Sequence, residues 1–259
     1  AGFELERPEP LQPATLVMHC DGYDVDAVDE DALDAAFHRA VEAGEVRLTD
    51  ITWRKDGKAT SFLGGHGHNK NHVTAGAAET SDGRTHAELA GRAAMLRAHR
   101  FFRRQPGLEG FTIEWIAAEC GIRETLVIRG KKRITDEDYK SGRRWPDGVC
   151  YSYYPIDIHV DHGEPFIAAP LGPGVLPSIP RGAMLPADSE FFITAGRCVC
   201  GDREANSSYR VEAPCMAMGQ AAGAMAALSA ERDVDPEQLP IADIHDLLMR
   251  HEAVVPELE

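Results

Sequence analysis

Two spacings of hydrophobic positions alternate along the chain, and together they predict a mixture of helices and strands. A period near 3.6 residues predicts helices at 29–44, 85–104, 214–229 and 236–252. Alternating or continuous apolar runs predict strands at 14–20, 46–53, 111–119, 124–128, 153–159 and 191–195. The last run is wholly apolar, which is typical of a strand buried in a parallel sheet. The pattern indicates an α/β fold.

Individual side chains refine this picture. The spacing within 85–104 predicts an inner helix face formed by Leu89, Ala93, Leu96 and Phe101. Thr135 is followed by three acidic residues, a capping-box pattern that predicts the start of a short helix. Residues 64–76 are rich in glycine, histidine and asparagine, and we expect them to form a loop.

Charge narrows the classes of partner. Of the 259 residues, 42 are acidic and 27 are basic, so the net charge is −15. This charge repels phosphate backbones and anionic lipids, which argues against nucleic-acid and membrane partners. The chain starts at Ala1 without a signal peptide and holds six scattered cysteines, so we expect a cytoplasmic protein with reduced thiols. Since no initiator Met is present, we also expect the chain to be one piece of a larger protein.

The helix predicted at 214–229 carries the strongest chemical signal. Pro214 suits the first helical position, which would leave the backbone N–H groups of Cys215, Met216 and Ala217 unpaired and favourable to negative charge. Gly219, Gly223 and Ala227 recur every four residues, so one face of the helix, here called the thin face, carries no large side chain at these positions. Either a flat cofactor or a closely packed backbone would account for that thin face, and the second explanation needs no ligand.

These residues belong to a longer resemblance. The runs ITAGRC (193–198) and PCMAMGQAAGAMAAL (214–228), with the Arg210-Val211 step between them, resemble the C-terminal flavin-binding segment of the FAD-dependent oxidoreductases sometimes called xanthan-lyase-like. Further motifs of that family occur in the same order: AECGIRETLVIRG (118–130), ITDEDY (134–139), RRWPDGV (143–149) and YPIDIH (154–159).

The resemblance implies a fold, a cofactor and a set of contacts. It implies a substrate-binding α+β domain with a mixed sheet at 10–180, and the C-terminal part of a Rossmann-like FAD-binding domain at 181–259. The start of the helix at Pro214 would face the flavin pyrimidine ring, where fixed donors favour the reduced, anionic form. The implied FAD-binding residues are Gly196, Arg197, Arg210, Val211, Cys215, Met216, Ala217, Gly219 and Gln220.

One family feature is missing. No G-x-G-x-x-G motif occurs, and the GGHGH run at 64–68 neither follows a clear buried strand nor opens a helix. We therefore expect an N-terminal FAD-binding chain as partner, in a hetero-oligomer that could hold two copies of each chain.

Three groups are candidates for catalysis. Asp157 and His159 are two residues apart on a predicted strand, so they would share a face and form a carboxylate–imidazole pair suited to a general base. A buried structural pair is the alternative. Arg123, beside Glu124, could clamp a carboxylate or act near the flavin, or form a structural ion pair. Arg210 admits the same two interpretations.

The loop at 64–76 contributes His66, His68 and His72. Contact with a hydroxylated substrate, a metal site and a plain solvated loop all remain open, although the histidines lack a clear acidic partner for a metal. Cys198, Cys200 and Cys215 have poor spacing for zinc, and a redox-active pair of Cys198 and Cys200 would be strained, so we expect small buried side chains and no metal site. His68 is retained as a candidate catalytic residue.

The sequence therefore predicts one chain of a two-chain FAD-dependent oxidoreductase. A hydride would pass between a small, hydroxylated or sugar-like substrate and flavin N5, while His159 or a loop histidine takes the coupled proton. A non-catalytic partner subunit is the main alternative, and a metal hydrolase that uses the loop histidines is a second.

Overall fold

The computed structural model describes residues 2–74, 76–160 and 167–257. The helices are α1 (Glu30–Glu42), α2 (Leu48–Ile51), α3 (Ala59–Gly64), α4 (Ser81–Phe102), α5 (Asp136–Lys140), α6 (Arg181–Met184), α7 (Arg203–Tyr209), α8 (Glu212–Arg232) and α9 (Ile241–Arg250). The strands are β1 (Leu5–Glu6), β2 (Met18–Asp21), β3 (Gly67–His68), β4 (Thr112–Ile116), β5 (Val127–Ile128), β6 (Gly148–Tyr151), β7 (Ile156–Ile158), β8 (Ile167–Ala169) and β9 (Ser178–Pro180). Every pairing between these strands is antiparallel. The fold is mixed α/β with small antiparallel sheets.

The chain divides into two compact units. The N-proximal unit comprises residues 11–123 and a short segment that begins at His159. The C-proximal unit comprises the residues up to Pro10, residues 124–158, and the chain from Ile167 onward. The division therefore groups 124–158 with the C-terminal residues. The assignment of substrate binding to 10–180 and of cofactor binding to 181–259 stays a prediction.

The N-proximal unit is built around a three-stranded sheet in the order β3-β2-β4. Helices α1, α3 and α4 add aromatic side chains to its main core, among them Phe37, Phe62, Phe101 and Phe102. Helix α1 begins at an Asp29 cap, whose carboxylate accepts from the Ala32 N–H. A second, smaller core packs Leu16 against the alanines of α4.

The predicted inner face of α4 is only partly correct. Phe101 is buried, but Leu89 is 66% exposed and Leu96 is 46% exposed. The inner positions are instead Ala87, Gly91, Ala94, Ala98, Phe101 and Phe102. At Gly91 a Cβ would lie 2.8 Å from the Cys120 Sγ, so the helix approaches its neighbours too closely for large side chains there.

Two predicted strands are wrong. Residues 46–53 contain α2, because the Asp50 carboxylate accepts from the Arg47 N–H over 2.8 Å and closes a helical turn. Residues 191–195 form no strand in the structure. Phe191, the first residue of this run, has a φ of +55° and is 63% exposed, and among the described residues no strand pairs with 192–195.

The remaining expectations for elements hold in shortened or shifted form. Strand β2 lies at the end of the predicted run 14–20 and extends one residue beyond it. Strands β4, β5 and β7 lie within 111–119, 124–128 and 153–159. The four predicted helices correspond to α1, α4, α8 and α9. Thr135 caps α5 in a capping box with Asp138. In the C-proximal unit, α7 packs on β7, while α8 packs on β6 and α9. Among the described residues, no helix is both long and apolar enough to cross a membrane.

Candidate functional site

Helix α8 begins two residues before Pro214, which changes the backbone donors of its first turn. The Cys215 N–H donates to the Val211 carbonyl over 3.1 Å. The donors without an intrahelical acceptor are therefore those of Val211, Glu212 and Ala213. The Val211 side chain caps none of them. The expectation of unpaired N–H groups was wrong for Cys215, Met216 and Ala217, whereas their assignment to cofactor binding stays a prediction.

Positive charge lies beside this helix start. A 3-10 turn at Gly196–Cys198 packs against α8. Gly196 has a φ of +84°, and a Cβ there would lie 3.7 Å from the Cys215 Sγ. Burial raises the pKa of the Cys215 thiol, and the charges of Arg197 and Arg210 oppose that shift. The structure thus brings together the predicted cofactor-binding residues of three segments. These segments are the 3-10 turn, Arg210 with Val211, and the first turn of α8.

The thin face of α8 is open. A Cβ at Gly219 or at Gly223 would meet no described atom within 4 Å. Met216, one turn before Gly219, is 67% exposed. Gln220 and Gly223 line a cavity of about 230 Å³ between α8 and α9, whose other lining residues are Ala224, Ala227, Leu247, Leu248 and His251. Close packing within the described part of the chain therefore does not account for the two glycines.

Arg210 binds the end of β7. Its Nη2 donates to the Asp157 carbonyl over 3.0 Å and lies 3.3 Å from the Asp157 carboxylate. Burial lowers the pKa of the Arg210 guanidinium, and the Asp157 charge opposes this shift. The Asp157 backbone N–H donates to the Ser207 hydroxyl in α7. These contacts fix Asp157 and Arg210 to each other.

A second partly buried arginine, Arg203, lies in the same unit. The Arg203 Nε lies 3.8 Å from the carboxylate of Glu124, which is buried. The Arg203 Nη2 is buried and has no hydrogen-bond partner among the described residues. An unpaired buried donor costs about 1–3 kcal/mol, so this atom is a local source of instability.

In the N-proximal unit, His72 and His159 form a buried imidazole pair. The His72 Nε2 lies 2.9 Å from the His159 Nδ1, so one ring donates and the other accepts. The Trp53 ring packs edge-on against His159. Burial lowers the pKa of His72 to about 2, with smaller contributions from the charges of Arg123 and His159. His72 is therefore neutral at pH 7.

The predicted grouping of Asp157 with His159 depended on both lying in one strand. Strand β7 ends at Ile158, so the two-residue spacing no longer fixes a shared face. Asp157 belongs to the C-proximal unit and contacts Arg210, whereas His159 belongs to the N-proximal unit and contacts His72. Their catalytic roles stay predictions.

Arg123 contacts backbone and hydroxyl groups of its own unit. Its Nη1 donates to the Pro13 carbonyl over 2.6 Å and to the Thr15 hydroxyl over 3.0 Å. The neighbouring Glu124 lies in the other unit, near Arg203. The catalytic role of Arg123 stays a prediction.

The structure separates the loop histidines. His68 is exposed in β3 and has a φ of +44°. His66 is also exposed, and its Nδ1 lies 2.9 Å from the Cys20 carbonyl. His72 is instead buried against His159. Among the residues that the structure describes, none of the three belongs to a cluster of potential metal ligands.

The six cysteines are free. Burial raises the pKa of Cys198, Cys200 and Cys215, which keeps these side chains as thiols rather than thiolates. Cys200 is fully buried, whereas Cys198 and Cys215 are half-buried near the first turn of α8.

Sequence reasoning missed two groupings. The pairing of His72 with His159 spans 87 residues, so no local spacing could have indicated it. A cluster of His19, Asp21 and Glu114 also went unnoticed. The predicted strand at 14–20 contains His19 but ends one residue before Asp21, so it did not indicate that these two side chains share a face.

Comparison with protein families gives one match that covers most of the chain. The family described as FAD dependent oxidoreductase matches residues 3–248. Neither the search of curated proteins nor the search of solved structures found a significant match.

Proposed function

The chain belongs to the FAD dependent oxidoreductase family, and from this premise we propose that it supplies the C-terminal, flavin-facing part of an enzyme that transfers a hydride between a small substrate and FAD. When bound, FAD supplies the hydride acceptor or donor. The observation that carries the proposal is the start of α8, where uncapped backbone donors, two nearby arginines and an open glycine face occur together.

The residues at this site fit a flat, electron-rich ring system. Backbone donors at a helix start stabilise negative charge, and Arg197 with Arg210 adds positive potential there. Gly219 and Gly223 leave room along the helix for close approach of a planar group or a backbone. Glu212, in the first turn, works against an anion, so we assign the attraction to the arginines and backbone donors together.

The phosphates of FAD need further polypeptide. The 259 residues contain no G-x-G-x-x-G motif, which in dinucleotide-binding folds lets the backbone approach the pyrophosphate. We propose that an N-terminal FAD-binding chain contributes that motif and covers the open face of α8. The exposed Met216 and the open positions at Gly219 and Gly223 support this arrangement.

His159 is our candidate for the coupled proton transfer. A neutral imidazole held by a neighbour in a fixed tautomer can accept a proton from a substrate hydroxyl, and His72 is that neighbour. Arg123, Asp157 and Arg210 act as positioning residues in this proposal. Arg123 donates to the Pro13 carbonyl and the Thr15 hydroxyl. Arg210 binds the carbonyl and the carboxylate of Asp157. His68 is the alternative base, and it is exposed where a hydroxylated substrate could reach it.

The test reconstitutes the chain with the polypeptide encoded upstream of it and with FAD. We expect a complex that retains FAD and shows flavin absorbance in the visible range. Gly219→Leu should abolish retention because it fills the open face, whereas Ala230→Leu, at an exposed position two turns beyond Gly223 on the same helix, should leave it intact.

Two results would contradict the proposal. A complex that forms but never binds FAD would favour a non-catalytic partner subunit. Retention of FAD by the Gly219→Leu complex at the wild-type stoichiometry would show that the face of α8 does not adjoin the cofactor.

A further inference from the structure

Strands β2 and β4 bring three potential metal ligands to one side of the N-proximal sheet. The ligand atoms of His19, Asp21 and Glu114 all lie within 4.8 Å of one another. The His19 Nε2 is 3.7 Å from a Glu114 carboxylate oxygen. This cluster lies outside every residue assigned above to flavin or to proton transfer.

A β-bulge explains why these side chains share a face. In the register of β2 with β4, His19 is opposite Trp115. The next residue of β2, Cys20, is opposite Ile113, so one residue of β4 is skipped. Glu114 is therefore the extra residue. At such a bulge the two residues of the longer strand turn to the same side as the residue that they face. Their burial agrees, because Glu114 and Trp115 are both exposed while Ile113 and Ile116 pack against the main core.

The other strand completes the arrangement. His19 and Asp21 are two residues apart within β2, so they project from the same side of the sheet. Without the bulge, Glu114 and Trp115 would point to opposite faces. The bulge thus adds a second carboxylate to a face that already holds an imidazole and a carboxylate.

The cluster carries uncompensated negative charge. The Glu114 carboxylate lies 3.7 Å from the His19 ring, which is uncharged unless it is protonated, and the Asp21 carboxylate accepts from the Gly22 N–H. Neither carboxylate forms an ion pair with a lysine or an arginine among the residues that the structure describes. Two carboxylates at this separation repel each other unless a cation lies between them. The net charge of −15 further raises the local concentration of cations.

We propose that His19, Asp21 and Glu114 bind a divalent transition-metal ion, with Zn²⁺ as the best fit. One imidazole nitrogen and two carboxylate oxygens match the ligand chemistry of Zn²⁺ and Mn²⁺ better than that of Mg²⁺ or Ca²⁺, which prefer oxygen alone. Three protein ligands leave a coordination position for water or for a small oxygen ligand.

The geometry needs only small movements to accept the ion. Ligand atoms about 2.0–2.1 Å from a tetrahedral Zn²⁺ lie about 3.4 Å from one another. The His19–Glu114 separation of 3.7 Å is close to that spacing already. The exposed Glu114 carboxylate can rotate toward the ion, while the His19 ring stacks with the rings of His66 and Trp115.

The primary test is calorimetric titration of the tag-free, chelator-treated chain with Zn²⁺, and separately with Mn²⁺. Mn²⁺ is included because the six thiols could also bind Zn²⁺, whereas Mn²⁺ prefers oxygen and nitrogen ligands. We expect one ion per chain with either metal. Paramagnetic Mn²⁺ should also quench part of the tryptophan fluorescence, because the Trp115 ring stacks 6.4 Å from the His19 ring.

Variants locate the ion. Glu114→Gln and Asp21→Asn should each weaken binding at least tenfold, since each removes a charged ligand. Trp115→Phe should bind Mn²⁺ normally but lose the quenching. The matched control is Glu45→Gln, which removes an exposed carboxylate of the same unit that pairs with Arg104 and should leave affinity unchanged.

The proposal fails if no stoichiometric binding occurs or if Glu114→Gln and Asp21→Asn bind as tightly as the wild type. It also fails if His68→Asn abolishes binding while Glu114→Gln does not, because the ion would then belong to the glycine-rich loop. Circular dichroism of each variant checks that a loss reflects the ligand and not the fold. FAD is absent throughout, so the result is independent of the proposed oxidoreductase function.

Discussion

The chemistry of single residues in this chain depends on contacts that are distant in sequence. His72 is buried and bonded to His159, and its neutral form is favoured because burial opposes charge. Arg123 donates to the Pro13 carbonyl and the Thr15 hydroxyl, both more than 100 residues away in the sequence. Residue types indicated which side chains could do chemistry, but the fold determines their partners.

The lowered pKa of His72 makes stability depend on pH. In the unfolded chain a histidine has a pKa of about 6.5, whereas in the folded chain the pKa of His72 is about 2. Between these values the unfolded state binds one more proton, so acid favours unfolding. We expect the free energy of unfolding to fall by on the order of 1 kcal/mol per pH unit below about pH 6.5 from this residue.

Urea denaturation at several pH values between 7 and 5 measures this dependence. In His72→Phe the protein should be less stable at pH 7, because His159 loses its partner, and its stability should fall less steeply with acid. Equal slopes in the two proteins would mean that His72 is not the residue that takes up the proton.

At the scale of elements, small residues have opposite roles in two helices. In α4, Gly91 lies against Leu16 and Cys120, and a Cβ would approach their atoms to within 3.0 Å. In α8, the space beside Gly219 is open. The same residue type therefore marks a tight internal contact in one helix and an open surface in the other.

Replacing each glycine by alanine should change stability in opposite directions. Gly219→Ala should stabilise the chain by up to about 1 kcal/mol, because alanine has the higher helix propensity and meets no steric obstacle. Gly91→Ala should destabilise it by about 1–3 kcal/mol, because overpacking outweighs the gain in propensity. Thermal unfolding of the two variants provides the comparison, and a stabilising Gly91→Ala would refute the close contact.

Periodicity predicted the helices well and their buried faces less well. The spacing of apolar residues identifies α4, but it favours Leu89 and Leu96 as inward residues, whereas close packing selects glycine and alanine. The apolar run at 191–195 predicted a strand, but within the described part of the chain these residues pair with no neighbouring strand. The order of the motifs indicated a family of FAD-dependent enzymes. The cluster of potential metal ligands on β2 and β4 depends on a β-bulge, which no local sequence pattern reveals.

At the scale of the whole molecule, exposed apolar residues indicate where further polypeptide could bind. Met216 is prominent because it lies one turn before the open glycines of α8. Leu89 is similarly exposed, but it belongs to α4 in the N-proximal unit. If an N-terminal FAD-binding chain covers α8, a charged side chain at Met216 should weaken assembly with that chain, whereas a charged side chain at Leu89 should not.

Met216→Asp should leave the stability of the isolated chain within about 0.5 kcal/mol, as surface substitutions do, and should weaken the complex with the upstream polypeptide. Leu89→Asp is the matched control and should assemble normally. Sedimentation velocity of the mixed chains measures the complex. Equal assembly of both variants would place the interface away from the first turns of α8.

The pairing of β1 with β5 has a consequence for synthesis on the ribosome. The Glu4 N–H donates to the Asp188 carboxylate, 184 residues later in the chain, and β1 pairs with β5 more than 120 residues away. At about 5–20 residues per second, the carboxylate emerges about 10 to 40 s after Glu4. The residues around Leu5 and Glu6 therefore leave the ribosome well before their partners, during a period in which chaperones can bind them.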